Sequence, residues 1–207
     1  MGQVREEKKR ETRQRISDVA TALFFERGFD AVTVEEIADA AKVSKMTIFN
    51  YFARKEELIL DREDDLTLLP LRQALRGRAQ GQSAADVLRA CVRALTETQP
   101  VIYHVDRHTL DWWRIVQASP ALKARMRELA EEAAAGLAVE LGGPEPDGRA
   151  RLAGGIVALS VRTAWEEAIR QVASGASAQA ADAAFMATIE QGLAALAQLD
   201  LSGQADE

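Results

Sequence analysis

Apolar residues recur with a period near 3.6 along almost the whole chain. Ile16, Val19, Ala20 and Leu23 stand at i, i+3, i+4 and i+7, one face of a helix. Gly28 follows where a left-handed residue ends a helix cheaply. Thr33 and Glu36 have capping-box spacing, in which hydroxyl and carboxylate each satisfy a free N–H, so a short helix is predicted over about 34–41. Ser44 as N-cap predicts a second over 45–51, and a long helix is predicted from near Lys55. Further on, Ser83 opens a helix to about Thr98, Pro100 suits the first turn of another, and Ser119-Pro120 opens one to about Leu141. The glycine- and proline-rich segment 142–148 is the clearest loop. A helix over about Arg149–Val172, a small-residue break at 174–177 and a last helix to about Leu199 complete the pattern. No run alternates with period two between hairpin turns, so no sheet is predicted and the fold class is all-α.

Composition narrows the class. The chain has 207 residues, 28% charged and 47% hydrophobic, which suits a globular protein of one or two domains. Its longest uncharged stretch, Gln171–Ala181, has eleven residues, against the roughly 20 apolar ones a membrane span needs, so no membrane association is expected. The charged N-terminus lacks the apolar core of a secretory signal. A single cysteine, Cys91, excludes an internal disulfide, and a cytoplasmic setting is expected. Cys91 stands on an apolar helix face and is read as packing.

The net charge of −6 argues against nucleic acid until its distribution is considered. Residues 1–62 hold 12 basic and 12 acidic side chains, leaving 14 and 20 for the rest. Residues 1–15 hold six basic groups against three acidic. The chain reads as an acidic body with a locally basic N-terminal end.

Thr33 to Leu58 holds the most informative pattern: two short helices joined by about three residues. Ile37, Ala38, Ala41, Val43, Ile48 and Phe52 occupy the inward positions of a helix-turn-helix. Lys45, Met46, Thr47, Asn50 and Tyr51 are left on the outer face of the second helix. That mixture of cation, hydroxyls, amide and thioether suits phosphates, base edges and the thymine methyl.

The segment resembles the N-terminal domain of the TetR family of bacterial transcriptional regulators. The resemblance rests on Phe24-Phe25-Glu26-Arg27-Gly28-Phe29, on Thr33-Val34, on the run Val43 to Phe52, and on Lys55-Glu56-Glu57-Leu58. It covers roughly residues 10–60; the remainder matches in length and helical character alone. The turn departs from the pattern with Lys42 where glycine is usual; a positive φ there costs lysine roughly 1 kcal/mol. Phe49 stands where tyrosine is usual, so that hydroxyl is absent.

The resemblance implies a three-helix DNA-binding domain over 1–60, a helical ligand-binding and dimerisation domain over 61–200, and a disordered tail over 201–207. Thr33 and Ser44 are implied to meet phosphates as well as to cap their helices. Lys45, Thr47 and Asn50 are the candidates for base edges, and Tyr51 and Lys55 for the DNA backbone. Arg10, Arg13 and Arg15 are read equally as a DNA arm or as a solvated helix face, because Glu6, Glu7 and Glu11 lie among them.

The implied function is a sequence-specific transcriptional regulator, a repressor, binding double-stranded DNA at a palindromic operator as a homodimer and answering to an unidentified small molecule. The last two helices are the expected dimer interface. Leu152, Ile156, Leu159 and Thr163 form one stripe and Val157, Val161, Ala164 and Ala168 another, and a helix apolar on two sides must be covered twice. Phe185, Ile189, Gly192, Leu193 and Leu196 supply the second helix. The effector is expected among His104, His108, Trp112 and Trp165. His104, His108 and Asp111 share a helical face with metal-compatible spacing, but a polar face is the adopted reading, and no metal or cofactor is expected. The rival is an all-helical enzyme or small-molecule carrier. Gly142-Gly143 is followed by Pro144 rather than a phosphate-binding signature, so no enzyme is expected.

Overall fold

The computed structural model describes residues 2–60, 66–98 and 105–199. Among these the fold is all-helical, as the periodicity requires. The helix expected to open at Pro100, the candidate His104 and the tail over 201–207 lie outside the described residues.

Two compact units share the chain. The first comprises residues 1–63 together with Asp111–Arg125; the second comprises Asp64–Leu110 and the chain from Met126 onward. The unit bearing the helix-turn-helix is therefore discontinuous in sequence.

The first unit opens with α1, Gly2–Arg27. Its inward face is Ile16, Ala20 and Phe24, each wholly buried. Gly28 ends it at φ 84 with its N–H on the Phe24 carbonyl at 2.9 Å, the left-handed stop that glycine adopts without penalty. Two short helices follow, α2 over Val34–Ala40 and α3 over Lys45–Tyr51. Each is only seven residues long, so neither would persist alone. They are held by caps and by the burial of Ile37, Ala38, Ala41, Ile48 and Phe52.

The long helix expected from Lys55 does not form there. The chain makes one 3-10 turn, Lys55–Leu58, and then leaves helical geometry. The cause is three consecutive buried residues, Leu58, Ile59 and Leu60. Three adjacent side chains on a helix fan over about 200°, so a single helix face cannot bury them all. The freed carbonyls find side-chain donors: Ser17 Oγ donates to Leu58 at 3.3 Å and Trp112 Nε1 to Ile59 at 3.3 Å.

Trp112 lies on α6, Arg107–Ala118, and is followed by α7, Pro120–Gly142. Ser119 is 1% exposed between them and donates its hydroxyl to Asp30 at 2.8 Å. These bonds tie Asp111–Arg125 to a unit whose other residues end at Glu63.

The second unit holds α4, Leu69–Arg76, and α5, Ala84–Thr98. Leu68, at φ 56, and Pro70 in the first turn set the start of α4. The body of α7 joins them, with α8, Gly148–Ala173, and α9, Ala178–Ala197. Asp147 and Ser177 cap the last two helices through the N–H groups of Ala150 and Ala180. Two glycines let backbones close in. A Cβ on Gly154 would lie 2.4 Å from the Ala134 carbonyl, and one on Gly192 would lie 1.8 Å from Ser160 Oγ. Arg89 bridges α5 to α9 through Glu190 at 2.8 Å, and Arg76 pairs with Glu140 between α4 and α7.

The two stripes of α8 have opposite fates. Val157, Ala164 and Ala168 are buried, while Leu152 and Leu159 stand 55% and 52% exposed. On α9 the expected interface residues Phe185, Ile189, Leu193 and Leu196 are all buried within their own unit, and Gly192 faces Ser160. The exposed face of α9 is instead small, with Ala183, Ala187 and Ala194.

Candidate nucleic-acid interface

The geometry of α2 and α3 is set by their ends. Thr33 Oγ1 accepts the Glu36 N–H at 3.2 Å, and the Glu36 carboxylate accepts the Thr33 N–H at 2.7 Å and its hydroxyl at 2.8 Å. Arg27 adds a 2.7 Å ion pair to the same carboxylate. The Thr33 backbone N–H foremost, then Arg27, hold the Glu36 carboxyl down at about 2. Both the hydroxyl proton and the acceptor side of Thr33 are thus engaged at the cap.

Lys42 sits at φ 53, in the left-handed region. The turn takes this conformation so that Val43 can donate to the Ala38 carbonyl at 3.0 Å and the chain can reverse into α3. The strain anticipated at this lysine is present. Ser44 then caps α3, accepting the Thr47 N–H at 3.0 Å and sharing a 2.8 Å hydroxyl contact with Thr47 Oγ1. Ser44 and Thr47 therefore satisfy each other.

Cations sort into two groups. Lys45 is exposed and paired with the exposed Glu35 of α2, whose carboxyl is lowered chiefly by that hydrogen bond. Lys55 turns inward: its ammonium donates to the Phe29 carbonyl at 2.6 Å and lies 4.2 Å from the Phe29 ring centre. Burial lowers its pKa. Arg13 lies 4.6 Å over the Phe52 ring, and Arg15 donates to the Ala41 carbonyl at 2.7 Å, bracing the end of α2. Arg10 stays outward, loosely paired with Glu7 at 4.0 Å, and Arg15 remains exposed despite its bond to Ala41.

Asn50 is exposed and Tyr51 half-buried at the end of α3. Sequence reasoning placed Met46, 74% exposed, on the outer face of this helix but passed over Phe49, 44% exposed. The signal was available in the 100° step of a helix, which puts both near the middle of the outward face and Thr47 at its margin.

The candidates for the effector are dispersed in role. His108 is exposed, Trp112 spends its indole N–H on Ile59 within the first unit, and Trp165 is half-buried on α8. Asp111 pairs with Arg114 at 2.7 Å. No group of three metal-binding side chains stands together among the described residues.

A capped seven-residue helix with its apolar side buried and Lys45, Met46, Phe49 and Asn50 outward is the arrangement a helix-turn-helix presents to a groove. Residues 16–61 match the family model for bacterial regulatory proteins of the tetR family. The chain carries the TetR-family N-terminal domain. Beyond that domain the likeness continues at lower identity. The chain is 30% identical over 132 residues to the HTH-type transcriptional regulator TcmR of Streptomyces glaucescens, covering 62% of this chain and 58% of that protein. It is 48% identical over 50 residues to an uncharacterized HTH-type transcriptional regulator, YdeS, of Bacillus subtilis, covering 24% and 25%. The chain thus spans between about a quarter and three fifths of the curated relatives it matches.

Among solved structures, a TetR-family regulator from Mesorhizobium loti superposes with a TM-score of 0.53 at 20% identity over 89% of this chain and 96% of that one. The SmeT–triclosan complex superposes with a TM-score of 0.58 at 20% identity, covering 89% and 91%. Both likenesses show that the shared fold extends over the helical body. No helix among the described residues is long and apolar enough to cross a membrane.

Proposed function

We propose that the chain is a cytoplasmic, sequence-specific transcriptional regulator, a repressor that binds a palindromic operator as a homodimer and answers to a small molecule. The observation that carries this is the outward face of α3, mounted by two side-chain caps and a buried apolar side. One such helix offers few base contacts, and two-fold symmetry doubles them. Lys45 and Asn50 take base edges, and Tyr51 meets the DNA backbone. Thr33 and Ser44 hold the two helices in register through their caps and border the phosphates. The inward bonds of Lys55 assign it to holding Phe29 in place.

Dimerisation is supported by Leu152 and Leu159, which lie 10.5 Å apart along an ideal helix and are left uncovered by the chain's own core. Their counterpart on α9 is the exposed alanine face of Ala183, Ala187 and Ala194. Control by a small molecule follows the precedent of SmeT, a protein of this fold solved with triclosan. Such regulators act by binding and release, without turnover.

The test is binding of the purified chain to the DNA just upstream of its own gene, across a salt series. Saturable binding to that fragment, with affinity falling steeply as salt rises, supports the reading. Equal affinity for unrelated DNA contradicts it.

A further inference from the structure

Five large apolar side chains stand exposed among the described residues, and two of them are neighbours on α3: Met46 and Phe49. At about 100° per residue, the outward face of α3 runs Lys45, Phe49, Met46, Asn50 across about 140°. The two apolar groups occupy its middle and the two polar groups its flanks. Ile48, on the opposite side, is 1% exposed, so the face cannot rotate inward without emptying the core. The Lys45 ammonium lies over the Phe49 ring at 5.9 Å from its centre, a contact at the outer limit of cation–π range that still leaves Phe49 44% exposed. Thr47, the remaining polar group near this face, has its hydroxyl engaged with Ser44.

A face meant only for phosphates and hydrogen-bonding edges would carry polar groups at its centre. This one carries a thioether and a phenyl ring there, flanked by the groups that suit phosphate and base amide. The major groove offers one apolar feature, the C5-methyl of thymine. We propose that Met46 and Phe49 form an apolar reading patch that packs on thymine methyl groups in the operator, making them specificity-determining residues of the recognition helix. The proposal rests on the reading of α3 as the helix that enters the groove.

Uracil removes that methyl and leaves every hydrogen-bonding edge unchanged. The experiment first selects duplexes bound by the full-length protein from a random-sequence library, then replaces thymine by deoxyuridine one position at a time. The expected result is a loss of about fourfold in affinity at one or more positions per half-site, the factor corresponding to one buried methyl-sized group. In Met46→Ala or Phe49→Ala the same replacement is without effect. Thermal melts of both variants should match the parent, since both side chains are exposed.

A parent protein that selects a sequence but tolerates uracil everywhere overturns the proposal while leaving the DNA-binding reading intact. So does a uracil penalty that persists in both variants. If the variants lose self-association instead of uracil discrimination, the patch belongs to a second copy of the chain. Failure to enrich any sequence defeats the underlying reading instead.

Discussion

Lys45 on α3 reaches back to Glu35 on α2, so the one cation of α3 is already paired with a carboxylate when DNA is absent. Both side chains are more than half exposed, so the pair adds little to stability. It matters for binding, because a base edge must displace Glu35 to reach Lys45, and the DNA then lies near that carboxylate's negative charge. Glu35→Gln should tighten operator binding about two- to fivefold in a fluorescence-anisotropy titration at low salt. Lys45→Ala should weaken binding and relax base discrimination at the position it reads. A Glu35→Gln protein that binds no tighter than the parent would show that the pair is irrelevant to the bound state.

Lys42 holds a conformation that costs a side-chain-bearing residue roughly 1 kcal/mol. Lys42→Gly should therefore raise the unfolding free energy by up to about 1 kcal/mol in a urea titration, offset in part by the greater freedom of glycine in the unfolded chain. A loss of stability would mean the lysine side chain holds the turn in some other way.

The capping box should be acid-sensitive. Glu36 is held at about 2 against an ordinary 4.5. A carboxylate with a depressed folded-state pKa contributes stability that is complete above its unfolded value and is lost as pH falls through the folded one. The window is therefore pH 4.5 down to about 2. Thermal melts of the parent should fall across it, and Glu36→Gln should flatten that part of the profile while lowering stability at neutral pH. Parallel profiles for the two proteins would assign the acid response to other groups.

Leu159 is half exposed on α8, on the side away from the buried Val157, Ala164 and Ala168. Leu159→Glu should leave the fold intact by circular dichroism and halve the mass measured by sedimentation. Operator affinity should fall by at least tenfold, since each half-site would then bind alone. An unchanged mass would place the dimer contact elsewhere.

Local features were the legible ones. Thr33 with Glu36, Ser44, Ser83 and Ser119-Pro120 each announced a helix start, because capping depends on residues three positions apart. The apolar positions of α2 and α3 were legible for the same reason. What could not be read depended on distant partners. Leu58, Ile59 and Leu60 look like the start of a helix until the core that buries all three is known. Arg13, Arg15 and Lys55 count as free cations in a sequence, yet each is spent on a ring or carbonyl many positions away. The apolar stripe of α9 looked like an interface because sequence alone cannot tell its own core from a partner's.

The hydroxyl of Ser119 and the indole of Trp112 carry one last consequence, for anyone who would take this molecule apart. A gene fragment ending after the sixtieth codon would encode α2 and α3 without the stretch that bonds to Asp30 and Ile59. Chimaeras that graft this reading unit onto a foreign effector body should therefore transplant Asp111–Arg125 as well, or supply a substitute for it.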